Sequence, residues 1–390
     1  MFKFFKNLKY TNKLILFLST ALFIFGLVMI FSASNISAFM RYHASPYHFL
    51  LKQSLFLLLG VLIFLTIINI DSKKFSNLSW VGLLICIGAL LFAYFFGPEI
   101  NDSKGWINLG IINVQPSEAV KVVLIAWIAG FFEIKKLGIN KIANSIAVFF
   151  VGIVEAGLVV LGKDFGTAAI IMLIIYLMYY LVPVSITIKL KTYIYVSIFI
   201  VMGLLGYYFA NTSSFQRQVG RFQDFGNPCS QEKFETSGNQ VCNSIIAFNN
   251  GGLFGKGLGN STQKYLYLPE SHTDFIFAIV VEETGLIGGG IVILTYMLLI
   301  FLIIRVGVRS TTFRGSMICY GVAIYIFLHI AINLGGISGL IPLTGVPLPF
   351  LSYGGTFTWC LIGALSMVQR IEIENKLARK LDMENKKKAE

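Results

Sequence analysis

The stretch LILFLSTALFIFGLVMIF, residues 14–31, is 18 residues long and carries no charged side chain. A helix of about 20 such residues crosses the hydrocarbon core of a bilayer, so this stretch reads as a membrane span. LIGGGIVILTYMLLIFLII at 286–304 reads the same way. Runs that are apolar on every face exclude a membrane barrel, whose strands alternate over about 10 residues. The whole chain agrees: of 390 residues, 56% are hydrophobic and only 13% charged, which excludes a water-soluble fold. The expected fold class is all-α, a polytopic membrane protein.

Hydropathy places ten spans, at 14–34, 50–69, 78–96, 115–132, 143–161, 166–182, 192–210, 274–303, 315–334 and 351–369. The net charge of +12 raises the question of nucleic acid, and the answer lies in where the cations sit. With the N-terminus inside, 21 of the 31 Lys and Arg residues fall on inner segments, so the charge sets topology and no nucleic-acid partner is expected. Both termini are predicted to be cytoplasmic. The chain divides into a cytoplasmic segment 1–13, a transmembrane domain 14–369 and a basic tail 370–390, the tail a frayed helix or disordered. The first apolar run is too long for a cleavable signal and reads as an anchor. Residues 211–273 form a long, polar, Gly-rich loop on the outer face, with amphipathic stretches at 243–248 and 253–258 that lie on or dip into the membrane.

Of five cysteines, Cys86, Cys319 and Cys360 sit in apolar spans as small hydrophobes, whereas Cys229 and Cys242 share the outer loop. For that pair a disulfide and two free thiols stand as equal readings. Among the four histidines, His272 alone lies beside the candidate chemistry, and it reads as a solvated loop residue. Ionisable side chains at membrane depth are costly and tend to mark function. They are Glu118, Lys121, Glu155, Glu282 and Glu283, with Asp164 and Asp274 at span mouths. Asp274 opens the eighth span, where an acid either serves the helix dipole or is free for chemistry. On an ideal helix Glu282 falls about 80° around from Asp274 and about 12 Å deeper, with Glu283 on the opposite face. Gln115-Pro116-Ser117-Glu118 reads as a helix start, and Lys121, three residues on, is placed to pair with Glu118. Lys163 and Asp164 read as a second, adjacent pair. The cluster GGLFGKGLG at 251–259 matches no nucleotide-binding spacing and reads as a tight backbone bend, with a phosphate cradle built on Lys256 as the second reading.

Several motifs together resemble the SEDS (shape, elongation, division and sporulation) family of peptidoglycan polymerases. They are GLVMIFSAS at 26–34, WINLG at 106–110, QPSE at 115–118, DFGT at 164–167, and GGLFG at 251–255 leading to Gly259-Asn260-Ser261. The strongest are Leu268-Pro269-Glu270 with HTDFIF at 272–277 and Glu282-Glu283, then PLPF at 347–350 with SYGG at 352–355. The resemblance covers nearly the whole chain in order and spacing. It implies a ten-span inverting glycosyltransferase that polymerises lipid II, the undecaprenyl-pyrophosphate-linked disaccharide pentapeptide, at the outer face of the cytoplasmic membrane.

The family's essential acid falls on Asp274, its fourth-span pair on Glu118 and Lys121, its aromatic on Trp106 and its loop arginine on Arg217. Asp274 is thus the expected base, and substrate contacts are expected from Glu118, Lys121, Trp106, Lys104, Arg217, Lys256, Lys264 and Glu282. Positive charge for the departing diphosphate comes from the outer cations or from a divalent ion (Mg or Mn), with Asp274 as its candidate ligand. The chain departs from the family pattern at Gly105, at Lys163, and around 224–241, where Asn227-Pro228 and the cysteine pair stand. The division branch is favoured over the elongation branch. The implied partners are a class B penicillin-binding transpeptidase and other division or elongation proteins. A lipid II flippase and a noncatalytic scaffold are the rival readings.

Overall fold

The computed structural model describes residues 6–100, 103–110, 112–135, 139–210, 228–230 and 238–389. Among them run eleven α-helices: α1 Lys13–Met40, α2 His48–Ile67, α3 Ser72–Phe96, α4 Pro116–Ile134, α5 Ile142–Leu161, α6 Phe165–Leu181, α7 Ile186–Ala210, α8 Asn239–Gly251, α9 Ile276–Val308, α10 Phe313–Ile337 and α11 Gly355–Ala389. A short hairpin, β1 Ile107–Asn108 and β2 Asn113–Val114, lies between α3 and α4. The chain is an all-α polytopic membrane protein, and each predicted span has its helix.

Seven of the described helices are long and apolar enough to cross a membrane by length and composition alone. The other three span positions deviate for physical reasons. α4 carries Glu118, Lys121 and Glu133, α6 has only 17 residues, and α11 is 35 residues long with a strongly charged second half. α4 can carry its charges because it is interior, packed against α3, α10 and α11. The basic tail is not a separate disordered piece, since α11 continues through it to Ala389.

Local chemistry sets the helix starts. Asn12 accepts from the amides of Leu14 and Ile15 at the head of α1, Asp164 accepts from Thr167 N ahead of α6, and Thr312 accepts from Gly315 N ahead of α10. Pro116 opens α4, where its missing N–H costs nothing.

α9 is not a continuous helix. Gly285, at φ 73° and ψ 178°, breaks it. A break inside a membrane helix exposes backbone groups that must be satisfied from within the protein. The Gly-rich loop does this: Leu286 N donates to Gly252 O and Ile287 N to Leu253 O, while Lys256 N and Gly257 N donate to Glu282 O and Glu283 O. The approach is so close that a Cβ on Gly285 would lie 2.2 Å from Leu253 O. Gly285→Ala is therefore expected to lower the yield and Tm of folded protein sharply. This backbone conformation, essentially confined to glycine, alone costs about 1–3 kcal/mol with a side chain, and the backbone clash adds to it. Thermal unfolding of the purified variant checks this.

The outer loop splits in character. α8 packs against α9 and α10, burying Cys242, Asn243, Ser244 and Ala247, so the stretch 243–248 lies in the protein rather than on the membrane. Leu253 and Phe254 are instead 60% and 80% exposed. Cys229 and Cys242 are joined by a disulfide. Cys86 and Cys319 are free and buried, and Cys360 is free and half-buried.

Candidate active site

A cavity of about 1150 Å³ opens among α2, the hairpin, the head of α6 and the segments before α9 and α11. Its lining includes Asp274, Glu118, Trp106 and Asp164, together with Arg41, Lys52 and Lys163. Asp274 sits in the turn ahead of α9, not in its first turn as expected. The N-cap of α9 is Phe275, with no side-chain cap bond, so the carboxylate of Asp274 is not spent on the helix.

The backbone around Asp274 is fixed from several sides. Asn333 Nδ2 on α10 donates to Asp274 O and to Val346 O, both at 2.8 Å. Ser352 Oγ donates to Thr273 O at 2.6 Å, and Tyr353 N donates to His272 O at 2.9 Å. Ser271 Oγ donates to Ala33 O of α1. Gly345 lies against the carboxylate: a Cβ there would stand 3.4 Å from Asp274 Oδ2. The motifs HTDF and PLPFLSYGG are therefore two halves of one frame. Enclosure by protein, with Glu270 and Asp164 nearby, pushes the Asp274 carboxyl up to about 7. His272 is not solvated: it is 2% exposed, its ring 4.3 Å from that of Phe49, and burial beside Arg41 pushes it down to about 4.

At the inner end of the cavity, Lys121 Nζ donates to Glu118 Oε1 at 2.8 Å, as the spacing predicts, with the two side chains 0% and 2% exposed. Glu118 Oε2 is buried without a partner on a residue that lines the cavity, so it is free to accept from a substrate hydroxyl or amide. Lys121 has another partner, His329, whose Nε2 lies 3.0 Å from Nζ. Sequence reading missed His329 because an isolated histidine inside a long apolar run carries no signal of its neighbours.

Other expected site residues go elsewhere. Glu282 does not line the cavity. Its carboxylate accepts from Lys256 Nζ, Asn250 Nδ2, Thr262 Oγ1, Ser261 Oγ and Gln263 N. Glu283 accepts from Lys264 Nζ at 3.1 Å and Ser32 Oγ at 2.6 Å. These acids and lysines hold the Gly-rich loop in the break of α9, and the ideal-helix placement of Glu282 relative to Asp274 fails because Asp274 precedes the helix. Lys104 is exposed and outside the lining, its N–H donating to Gly162 O. Arg217 lies outside the described residues. Lys163 pairs with Glu99 at 2.8 Å rather than with Asp164, which accepts from Gln115 Nε2 instead.

Of the three cavity cations, Arg41 and Lys52 are ones the sequence reading did not single out. Arg41 reaches Pro269 O at 3.3 Å and Glu270 at 3.7 Å. Lys52, one turn into α2, has no acidic partner among the described residues. Among those residues there is also no cluster of three or more His, Cys, Asp or Glu side chains that could hold a metal ion.

Comparison with known proteins identifies the family. The cell cycle protein family FtsW/RodA/SpoVE matches residues 12–377. The chain is 35% identical over 392 residues to the probable peptidoglycan glycosyltransferase FtsW of Bacillus subtilis, covering 99% of this chain and 95% of that one. It is 32% identical to stage V sporulation protein E of the same organism, over 93% of each chain. Among solved structures, a chain of a peptidoglycan synthase complex that coordinates polymerization and crosslinking superposes with a TM-score of 0.72 at 19% identity, over 94% of this chain and 98% of that chain. The rod shape determining protein RodA of Thermus thermophilus superposes at 0.66 and 20% identity, over 94% and 97%. The chain belongs to the FtsW/RodA/SpoVE family and is FtsW-like within it.

Proposed function

We propose that this chain, a peptidoglycan glycosyltransferase, polymerises lipid II in the cavity that holds Asp274. The 4-hydroxyl of an acceptor GlcNAc attacks C1 of the donor MurNAc. Its proton passes to the Asp274 carboxylate. The bond from C1 to the diphosphate oxygen breaks with inversion, and the electron pair leaves on undecaprenyl pyrophosphate. Arg41, Lys52 and Lys163 line the same cavity, and their positive charge offsets the negative charge that develops there. Base catalysis of this kind is typically worth about 10² to 10⁴ in rate. The observation that carries the proposal is the placement of Asp274: in a large cavity, free of any capping duty, and framed by Asn333 of α10 and by Ser352 of the segment before α11.

The proposed setting is the cytoplasmic membrane, with both termini inside and the cavity facing outward. The proposed partner is a class B penicillin-binding transpeptidase of the division machinery, which crosslinks the strands made here. The test is glycan synthesis from lipid II by the purified chain with that transpeptidase. Transfer of lipid II across a vesicle membrane without strand formation would establish the flippase reading instead.

The pH dependence is set by the same carboxyl. Asp274 works as a base only when ionised, and burial raises it to about 7, so kcat/KM is expected to fall with a slope of one as pH drops below about 7. A rate that stays level from pH 8 down to pH 5 would contradict this assignment.

A further inference from the structure

We infer that His329 is a positioning residue for the transfer reaction, a fixed neutral imidazole that ties the Glu118–Lys121 pair to the loop framing Asp274. The inference rests on the proposed polymerase reading and adds a member to its machinery.

Both ring nitrogens of His329 have partners, and the partners decide the proton. Nε2 lies 3.0 Å from Lys121 Nζ, an ammonium with three donors and no acceptor, so Nε2 accepts. Nδ1 lies 3.2 Å from Pro347 O, which only accepts, so Nδ1 carries the proton and donates. Two unrelated neighbours thus require the same tautomer. The ring is held there by packing: it is 0% exposed, stacked on Phe357 with centroids 4.8 Å apart and edge-on to Tyr325, also at 4.8 Å.

Position along α10 gives the contact its consequence. Asn333 lies four residues on, one turn along the same face of α10. Asn333 holds Val346 O and Asp274 O, while His329 holds Pro347 O. Together they pin the segment 345–347, and Gly345 of that segment abuts the Asp274 carboxylate. At its other edge His329 shares Lys121 with Glu118, whose free Oε2 belongs to a cavity-lining residue. A single imidazole therefore helps set the separation between the two carboxylates the substrate meets. Displacing reacting groups by about 1 Å can cost about 100-fold in rate, so its removal acts on turnover more than on binding.

Two measurements on the full-length chain in lipid test this. In solid-state NMR of the chain labelled with ¹⁵N-histidine, the ring signal lost in His329→Gln is expected to be a neutral imidazole protonated at Nδ1. A ring protonated at Nε2 alone, or at both nitrogens, would overturn the inference. In lipid II polymerisation, His329→Gln keeps an acceptor and a donor about 2 Å apart, as in the imidazole, and is expected to stay within about threefold of the parent. His329→Leu keeps bulk without polarity and is expected to lose about tenfold or more in kcat, with KM within about twofold. Parent-like kcat in His329→Leu, or an equal loss in both variants, would also overturn it. Should the parent make no glycan at all, the polymerase proposal falls, and with it the role in the reaction, while the NMR result still decides the tautomer.

Discussion

Lys121→Met is expected to lower the stability of the purified protein by about 3–5 kcal/mol and to stop glycan synthesis. The ammonium is fully buried between Glu118 and His329, so its removal leaves a carboxylate without a counter-ion in the interior. Breaking one side of a buried pair costs more than the pair contributes, because the remaining charge cannot return to water. The double variant Glu118→Gln/Lys121→Met separates structure from function. With both charges gone the desolvation penalty goes too, so Tm is expected to recover most of the loss. Glycan synthesis is expected to stay low, because the cavity has lost the Glu118 carboxylate, and the amide that replaces it is a weaker, uncharged acceptor. A double variant that polymerises at the parent rate would reduce the pair to a structural element.

The parts of this protein that were legible in the sequence are those dictated by neighbouring residues. Span positions followed from apolar runs, and the Glu118–Lys121 pair followed from a three-residue spacing on a helix opened by Pro116. The reading of the glycines at 251–259 as a backbone bend also held, although the bend serves the break in α9. What the sequence hid depends on distant contacts. Nothing in 256–264 announces that Lys256 and Lys264 meet Glu282 and Glu283, 26 and 19 residues on, so their charges looked available for substrate. Two of the cavity cations were hidden for the opposite reason. Arg41 and Lys52 come from the end of α1 and the start of α2, remote in sequence from Asp274, and only the packing of helices brings them to its cavity. His329 was hidden likewise. Asp274 was found through its motif, but that it is free of the helix end is a fact of the turn at 270–275, which the helical pattern extrapolated through.

Asp274→Asn removes the base while keeping size and shape, and its effect on the account is the largest of all. The amide cannot take the proton of the attacking hydroxyl, so the rate is expected to fall by about 10² to 10⁴. Loss of fold does not explain such a result. A carboxyl raised from 3.8 to about 7 binds its proton more tightly in the folded state than in the unfolded chain, so its ionisation works against folding as pH rises from about 4 to 7. Above pH 7 the neutral asparagine is accordingly expected to leave the protein at least as stable as the parent. The decisive measurement is the length and amount of glycan strands made from lipid II at pH 8 by parent and Asp274→Asn chains, each with the transpeptidase partner and matched for folded protein by Tm. The account predicts strands from the parent and none above background from an equally stable variant; strands of equal amount from both would contradict it.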